Sequence, residues 1–356
     1  MDLRVCFLAL EYFGWGRFGG IGKATKDIAE GLAERGLDVY VVTPLSENHR
    51  ENEEVNGVKI LGYPLWKISP SRKVFKEIDA DVYHSQDPSP STVFALRSMP
   101  DRIHLVTFQN PKSINDWSKV NRYYRPRRLL YNNIIEPLIR KQIRRCNRLF
   151  CQANYTLRKA KEIYCLESEP LFLPNPISIP EREPCKSRDA MILFLGRLDG
   201  EKNPERFIEL SANFPGLDFF LAGQTHSEKR KKHLGKLWKP ENMHQVGFVE
   251  GVLKDGLLER SWVLVNTSVS ECLPVSFLEA LSNRCSILSN HDPDGLTSRF
   301  GFYTPIGDFE NGLEFLLDGD RWRDLGNAGF RYVKENHEIG KVLDLHLEHY
   351  TELSKS

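Results

Sequence analysis

The sequence has no uninterrupted apolar stretch near the roughly 20 residues that a membrane-spanning helix requires. Its seven cysteines are scattered through strand-like and helix-like segments and form neither a disulfide framework nor paired C-x-x-C ligands. Lysine and arginine number 49 against 48 acids, so the net charge of +1 provides no global field for nucleic acid. These absences argue against a membrane-spanning protein, a disulfide-stapled domain and a nucleic-acid binder. We therefore expect a globular protein of the reducing cytoplasm.

The length of 356 residues suits two domains, because single hydrophobic cores stop growing at about 250–300 residues. Short apolar runs alternate with helical patterns, which predicts two doubly wound α/β domains with parallel sheets. The strands predicted in the first half are Arg4 to Leu10, Val39 to Thr43, Asp81 to Tyr83, His104 to Phe108 and Arg148 to Cys151. Those predicted in the second half are Met191 to Leu195, Asp218 to Ala222, Met243 to Val246, Trp262 to Asn266 and Ser286 to Leu288.

A proline-rich segment separates the two halves. The prolines between Leu173 and Pro180 lack amide donors and restrict the residues before them, so this segment suits a linker. We predict an N-terminal domain over 1–176 and a second domain over 177–336. Two helix-like segments without an intervening strand, Arg321 to Asn336 and Ile339 to Leu353, end the chain. The last of these, within 337–356, is expected to pack back on the N-terminal domain.

A glycine-rich turn follows the first predicted strand. Gly20 and Gly22 precede a helix that runs to about Arg35, where glycines admit a ligand and the helix N-terminus offers amides to an anion. An ordinary tight strand-to-helix turn explains the same residues. A dinucleotide-binding fold would need an acid at the end of the second strand, where this chain has Thr43 and Pro44. The sequence therefore disfavours an NAD enzyme.

Two cations flank the first turn of the second predicted domain. Arg197 follows a strand and Lys202 precedes a helix, for which Asn203 is the predicted N-cap and Pro204 the first-turn residue. A planar guanidinium and a mobile ammonium beside a helix start suit a diphosphate. The alternative is a pair of solvated surface charges.

Two glutamates stand on either side of another predicted helix start. Glu271 lies in the entry loop, and Glu279 lies inside the helix that begins near Pro274. If the whole span were helical, about 1.5 Å per residue would place their backbones roughly 12 Å apart. That separation matches the reach from a hexose across a diphosphate to a ribose, whose hydroxyls carboxylate oxygens can bind. The alternative is a capping-region acid followed by an ordinary helix glutamate.

With these motifs in place, the sequence resembles the retaining family-4 glycosyltransferases of the GT-B fold. The segments that carry the resemblance are GGIGKATKDIAEGLAERGLDVYVVT, DVYHS, LFLPNPI, LFLGRLDGEKNPERF and SECLPVSFLEAL. The resemblance implies an α/β fold of two Rossmann-like domains facing a central cleft, with a C-terminal helix that crosses back. It also implies metal-independent sugar transfer with retention of anomeric configuration, without any cofactor.

The resemblance assigns roles to individual residues. It implies that Arg197 and Lys202 hold the donor diphosphate, that Glu271 holds the transferred sugar and that Glu279 holds the ribose. Catalysis would therefore depend on Arg197, Lys202 and Glu271. The remaining donor contacts would come from Gly20, Gly22 and the helix start at Leu273 and Val275.

The sequence departs from the family pattern at several positions. Arg284 and Ser286 replace the usual glycine and proline, and Gln109 stands where the family often has a histidine, whose acid–base role therefore does not transfer. His84 and Gln109 are the candidates for acceptor contacts, although a lone histidine at a strand end is also typical of packing. A D-x-D match at Asp292 to Asp294 is interpreted as a turn rather than a metal site.

We therefore predict a retaining transferase that moves a hexose-type sugar from a nucleoside-diphosphate sugar to a glycan or lipid-linked acceptor. The alternatives are a GT-B epimerase or phosphorylase-like enzyme and a non-catalytic sugar-nucleotide-binding subunit. Intact donor-site residues argue against a loss of turnover.

The stretch 119–148 is strongly basic. It contains ten basic residues and one acid, Glu136, for a local charge of +9, and apolar residues interleave with the charges. This pattern is typical of an amphipathic helix on an anionic membrane, although Pro137 should kink or restart the helix. We expect peripheral attachment at this stretch and no nucleic-acid partner. The alternative is an apolar stripe that packs on the first domain while its charges are solvated.

Overall fold

The computed structural model describes residues 3–15, 19–45, 52–64, 67, 69–113, 116, 135–225, 227–237 and 239–355. The chain forms two compact units. Of the described residues, those up to Ser113, those from 135 to Pro176 and the C-terminal helix from Ile339 belong to the first unit. The second unit is Ile177–Glu338.

The first unit is built on an eight-stranded sheet with the order β3-β4-β2-β1-β5-β6-β7-β8. Its strands are β1 Arg4–Leu8, β2 Asp38–Leu45, β3 Asn52–Val55, β4 Val58–Pro64, β5 Val82–Ser85, β6 Ile103–Phe108, β7 Arg148–Cys151 and β8 Leu171–Phe172. All five predicted strands are confirmed, whereas β3, β4 and β8 were not predicted. The expectation of a purely parallel sheet is wrong at one edge, because β3 pairs with β4 in the antiparallel direction.

Helices cover this sheet, and they are α1 Gly20–Glu34, α2 Arg72–Ile78, α3 Pro90–Ser98, α4 Glu136–Ile143 and α5 Thr156–Tyr164. The first shows why these segments are helical: Ala24, Ile28 and Leu32 recur every four residues and are all buried. Ile28 and Leu32 pack with strand residues such as Val39 in one hydrophobic core.

The second unit has a six-stranded, wholly parallel sheet with the order β11-β10-β9-β12-β13-β14. Its strands are β9 Met191–Leu195, β10 Asp218–Ala222, β11 Met243–Gly247, β12 Val263–Asn266, β13 Ser286–Ser289 and β14 Gly301–Tyr303. Its helices are α6 Pro204–Ala212, α7 Glu228–Lys236, α8 Gly251–Arg260, α9 Val275–Ser282, α10 Leu296–Phe300, α11 Phe309–Leu317 and α12 Arg321–Asn336. Two short 3₁₀ helices, Pro293–Gly295 and Asp318–Asp320, complete it.

The last helix, α13 Ile339–Lys355, belongs to the first unit, so the predicted return of the chain is confirmed. Leu343 reaches the backbone of α1 at Gly31, where a Cβ atom would lie 2.5 Å from a Leu343 methyl group. Arg35 and Asp344 form an ion pair of 2.6 Å beside this contact. In the described part of the chain, no helix combines the length and apolar character needed to cross a membrane.

Candidate functional site

The loops after β9 and β12 form the candidate site of the second unit. These strands are neighbours in a parallel sheet, so their carboxyl ends meet at the edge where ligands bind in such folds. The Thr267 hydroxyl donates to the carbonyl oxygens of Lys202 and Asn203 at 3.1 and 2.8 Å. The Val269 amide donates to the Glu201 carbonyl at 2.8 Å. These bonds hold the loop that contains Arg197 and Lys202 against the loop that carries Glu271.

Lys202 and Glu271 form a mostly buried ion pair. Glu271 Oε1 accepts hydrogen bonds from Lys202 Nζ at 2.5 Å, Ser268 Oγ at 2.6 Å and Asn266 Nδ2 at 3.0 Å. Only 7% of the Glu271 side chain and 20% of the Lys202 side chain are exposed. The hydrogen bonds that the described residues donate to this carboxylate all end on Oε1, which leaves Oε2 for another donor.

This environment keeps Glu271 ionised. Burial acts to raise the pKa of Glu271, but the charge of Lys202 and the three hydrogen bonds outweigh burial and hold that pKa below its ordinary value. An ionised carboxylate at this position suits the binding of sugar hydroxyls.

Glu279 forms a second ion pair, with a residue that the sequence did not indicate. Its Oε1 atom lies 2.5 Å from Lys254 Nζ on α8, and only 11% of its side chain is exposed. The two residues are 25 positions apart, on different helices, and no motif connects them. Ser268 and Asn266 were also missed, although Ser268 lies three residues before Glu271 and Asn266 ends strand β12.

The start of α9 offers free backbone amides between the two glutamates. Pro274 is its N-cap, no described side chain caps it, and its first turn carries no acid. Leu273 and Val275 are 5% and 7% exposed. Uncapped amides at a helix N-terminus attract anions, so this arrangement fits a phosphate.

Arg197 and the preceding turn are fixed by a close approach of two strand ends. Arg197 Nη1 lies 3.3 Å from Asp199 Oδ2, and Asp199 Oδ1 accepts a hydrogen bond from Thr225 at 2.8 Å. Gly223 has a φ of 143°, and a Cβ atom there would lie 1.8 Å from the Gly196 carbonyl oxygen. Only glycine allows this contact, which positions the turn before Arg197.

The predicted cap of α6 is corrected by the structure. Asn203 occupies the N-cap position, but its backbone is left-handed, with φ 48° and ψ 53°, and its side chain makes no capping bond. A capping side chain needs extended backbone, and Asn tolerates the left-handed region that this turn requires. Pro204 does lie in the first turn as predicted.

Two glycines at the start of α1 lie close to Glu11. A Cβ atom on Gly19 would lie 2.2 Å from Glu11 Oε2, and one on Gly22 would lie 3.2 Å from the Glu11 Cβ atom. Gly20 is exposed at the start of α1, and Gly22 is buried. The carboxylate of Glu11 thus lies beside the helix start that was predicted to face a phosphate or acceptor.

His84 lies fully buried between the sheet and α13. Its Nδ1 and Nε2 atoms are each 2.8 Å from a hydroxyl, those of Tyr350 and Thr107 respectively. Burial, reinforced by His346 and His349, holds the pKa of His84 well below its ordinary value. The neutral ring therefore packs α13 onto the sheet. None of the ring is exposed for the predicted acceptor contact.

Gln109 lies at the end of β6 in a cluster of amide side chains. Its Nε2 atom donates to Gln86 Oε1 and Asn175 Oδ1 at 3.1 Å each, and only 3% of the residue is exposed. Gln109 therefore lies at the carboxyl edge of the first sheet. It directly follows β6, which pairs with the strand β5 that carries His84.

The departure at Arg284 and the D-x-D match at Asp292 also have structural explanations. Arg284 adopts a φ of 58°, as a glycine would, and its guanidinium stacks on Phe330 at 4.3 Å. Asp292 Oδ1 accepts hydrogen bonds from the Thr297 and Ser298 amides at 2.9 and 3.0 Å, so it caps a helix. No group of three or more potential metal ligands occurs in the described ranges.

Two families match the sequence. The family described as Glycosyltransferase Family 4 matches residues 18–179, and glycosyl transferases group 1 matches residues 178–298. No curated protein sequence matches the chain at a significant level.

Solved structures with low sequence identity share the fold. Sucrose-phosphate synthase from Thermosynechococcus elongatus has 15% identity and a TM-score of 0.78, covering 99% of this chain and 100% of that chain. Anabaena HepE in complex with UDP-glucose has 13% identity and a TM-score of 0.74, with 99% and 100% coverage. WaaG, a glycosyltransferase involved in lipopolysaccharide biosynthesis, has 16% identity and a TM-score of 0.65, with 98% and 99% coverage. With its two matched regions and its two α/β units, the chain belongs to the family-4 glycosyltransferases of the GT-B fold.

Proposed function

We propose that the protein transfers a hexose-type sugar from a nucleoside-diphosphate sugar to a glycan or lipid-linked acceptor, with retention of configuration and without a metal ion. The observation that carries this proposal is the pairing of each predicted donor carboxylate with a lysine, Glu271 with Lys202 and Glu279 with Lys254. Each pair is mostly buried, and the uncapped start of α9 lies between the two glutamates in the chain. Charges held in this way suit a ligand with a sugar, a diphosphate and a ribose.

The diphosphate would be bound by groups that need no metal. The Lys202 ammonium has three N–H groups, of which one is directed at Glu271, and the α9 amides and Arg197 add further donors. As the bond from the anomeric carbon to the diphosphate breaks, negative charge develops on the leaving oxygens. Preorganised donors stabilise that charge more than they stabilise the ground state. UDP is the nucleotide that we propose first, since HepE was solved with UDP-glucose.

Glu271 would orient the transferred sugar rather than attack it. Three donors fix its Oε1 atom, and its lowered pKa reflects stabilisation of the charged form, which weakens its basicity. Retention without a protein nucleophile implies attack from the face that the leaving group occupies. The acceptor oxygen then bonds to the anomeric carbon, the phosphate departs, and the acceptor proton passes to a phosphate oxygen.

Product analysis separates this proposal from its alternatives. Calorimetry against UDP-, GDP-, ADP- and TDP-sugars identifies the donor, and the donor is then incubated with an acceptor mixture. A transferase releases the free nucleoside diphosphate together with a glycosylated product. Free sugar phosphate would indicate phosphorolysis, an isomerised sugar nucleotide would indicate an epimerase, and tight binding without turnover would indicate a binding subunit.

We also propose peripheral docking on anionic membranes through the stretch 119–148. Residues 119–134, which carry five of its ten basic side chains, lie outside the described residues. In the described part, α4 begins at Glu136 with Pro137 in its first turn, as the predicted restart requires. It buries Ile139 and Ile143 in the first unit, so any attachment by α4 would depend on its charges, at about 1 kcal/mol for each.

A further inference from the structure

Four buried amide side chains meet at the carboxyl edge of the first-unit sheet. Gln86 follows β5, Gln109 follows β6, Gln152 follows β7 and Asn175 comes shortly after β8, and each is between 1% and 3% exposed. These four strands are neighbours in the sheet. Ligands of open α/β sheets bind at this edge.

Hydrogen bonds within the amide cluster leave one donor without a partner. Gln109 exchanges bonds of 3.1 Å with Asn175 and donates to Gln86 Oε1, while Gln152 donates to the Gln109 carbonyl at 3.0 Å. The Gln86 Nε2 atom is buried and has no hydrogen-bond partner among the described residues. Leaving a buried donor unpaired is unfavourable, so this position favours a ligand oxygen.

A carboxyl group stands next to that donor in the chain. Asp87 is partly exposed, and its Oδ1 atom accepts a hydrogen bond from the Gln109 amide at 3.3 Å. Burial raises the pKa of Asp87 to about 7, against the hydrogen bonds of the Gln109 and Asn110 amides and the charge of Lys112, while the charge of Glu136 adds to the increase. The edge therefore combines an amide donor with a carboxyl acceptor.

We infer that Gln86 and Asp87 bind a neutral sugar unit of the acceptor through its hydroxyl groups. A hydroxyl both accepts and donates hydrogen bonds, so an amide N–H and a carboxylate on consecutive residues can together bind the hydroxyl groups of one sugar unit. The amides carry no charge, and the two acids of this neighbourhood, Asp87 and Glu136, oppose an anionic group, with Lys112 as the cation that also acts on Asp87. This inference rests on the proposed transfer reaction and specifies the acceptor that the reaction uses.

The test uses the full chain and the sugar nucleotide that calorimetry selects. Acceptors are the methyl glycosides of glucose, galactose, mannose and N-acetylglucosamine, with methyl glucuronide and methyl galacturonide as anionic counterparts. Product formation is measured by mass spectrometry and nucleoside diphosphate release. We expect at least one neutral glycoside to be used about tenfold or more better than either uronide.

Two variants and one matched control test the residues. Asp87→Asn and Gln86→Met should each raise the acceptor KM about tenfold, the effect of losing one hydrogen bond to a charged or buried partner, while the donor Kd stays unchanged. The acceptor KM of the wild type should rise as pH falls below about 7, and that rise should vanish in Asp87→Asn. Gln152→Met is the control, because Gln152 is equally buried but hydrogen-bonded on both amide atoms. It should lower Tm more than Gln86→Met does, with less effect on the acceptor KM.

Several results would overturn the inference. They are equal use of uronides and neutral glycosides, no transfer to any neutral glycoside despite tight donor binding, and acceptor KM values in Asp87→Asn and Gln86→Met that change no more than in Gln152→Met. Failure of the underlying function looks different, since no sugar nucleotide would then bind or release its diphosphate.

Discussion

Replacing Lys202 by alanine tests the centre of the proposed donor site. The substitution removes an ammonium that pairs with Glu271 and that we assign to the donor diphosphate. It leaves a carboxylate with 7% side-chain exposure and two remaining donors, Ser268 and Asn266. Both activity and stability should therefore fall, for separable reasons.

The loss of activity follows from the diphosphate contact. Removing one preorganised donor from a developing oxyanion costs about 10²–10³ in turnover, so we expect kcat to fall on the order of 10²-fold or more. The loss of stability follows from the ion pair, since removing one partner of a buried pair costs up to about 3–5 kcal/mol. Two surviving hydrogen bonds to Glu271 should keep the loss at or below the lower end of that range.

A double substitution separates the two effects. Lys202→Ala with Glu271→Gln should regain most of the lost stability, because a neutral amide oxygen still accepts from Ser268 and Asn266, but should not regain turnover. Lys231→Ala, at an exposed position on α7, is the matched control and should leave both unchanged. Steady-state kinetics and urea unfolding measure the outcome. Wild-type turnover in Lys202→Ala would remove this residue from the site, and unchanged stability would contradict the buried pair.

Four further predictions follow from the same structure. Glu279→Ala should weaken calorimetric binding of both the nucleoside diphosphate and the intact donor, whereas Glu271→Ala should spare the free nucleotide; equal loss of nucleotide affinity would reverse the assignment. Activity should survive EDTA, because Lys202, Arg197 and the α9 amides meet the diphosphate charge, and full loss restored by Mn²⁺ would refute this. His346 is buried with a pKa lowered to about 3. A histidine in the unfolded chain binds a proton below about pH 6.5, so His346 should lower the free energy of unfolding by about 2 kcal/mol at pH 5. Tm should therefore fall as the pH is lowered, and it should fall less in His346→Leu. Vesicles rich in phosphatidylglycerol should sediment the protein at low salt, and serine substitutions at Arg140, Lys141, Arg144 and Arg145 should weaken this sedimentation. No sedimentation at low salt, or equal sedimentation of the variant, would contradict docking by this stretch.

The sequence predicted most of the sheet because parallel strands buried on both faces are continuous apolar runs. The bounds of β7, β9 and β10 agree with the predicted ones, and so do those of α12. The β3–β4 hairpin was missed because its first strand is NEEV, exposed or half-buried and mostly polar. A local signal was present, since Asn56 and Gly57 have φ values of 50° and 76°, the left-handed pair that Asn-Gly favours in a two-residue turn.

Within the proposed donor site, the sequence predicted the residues whose spacing is local and missed those whose position depends on tertiary packing. Lys202 and Glu271 belong to recognisable motifs, but the pair itself forms only because Thr267 and Val269 tie two loops that are more than 60 residues apart in the chain. Lys254 illustrates the limit most clearly, since it lies on a helix with no motif and its contact with Glu279 is seen only in the structure. A carboxylate that is to bind a ribose must be oriented, and the contact with Lys254 on the preceding helix orients Glu279. The sequence motif therefore marks the groups that we assign to the donor, while the partners that orient them are set by the fold.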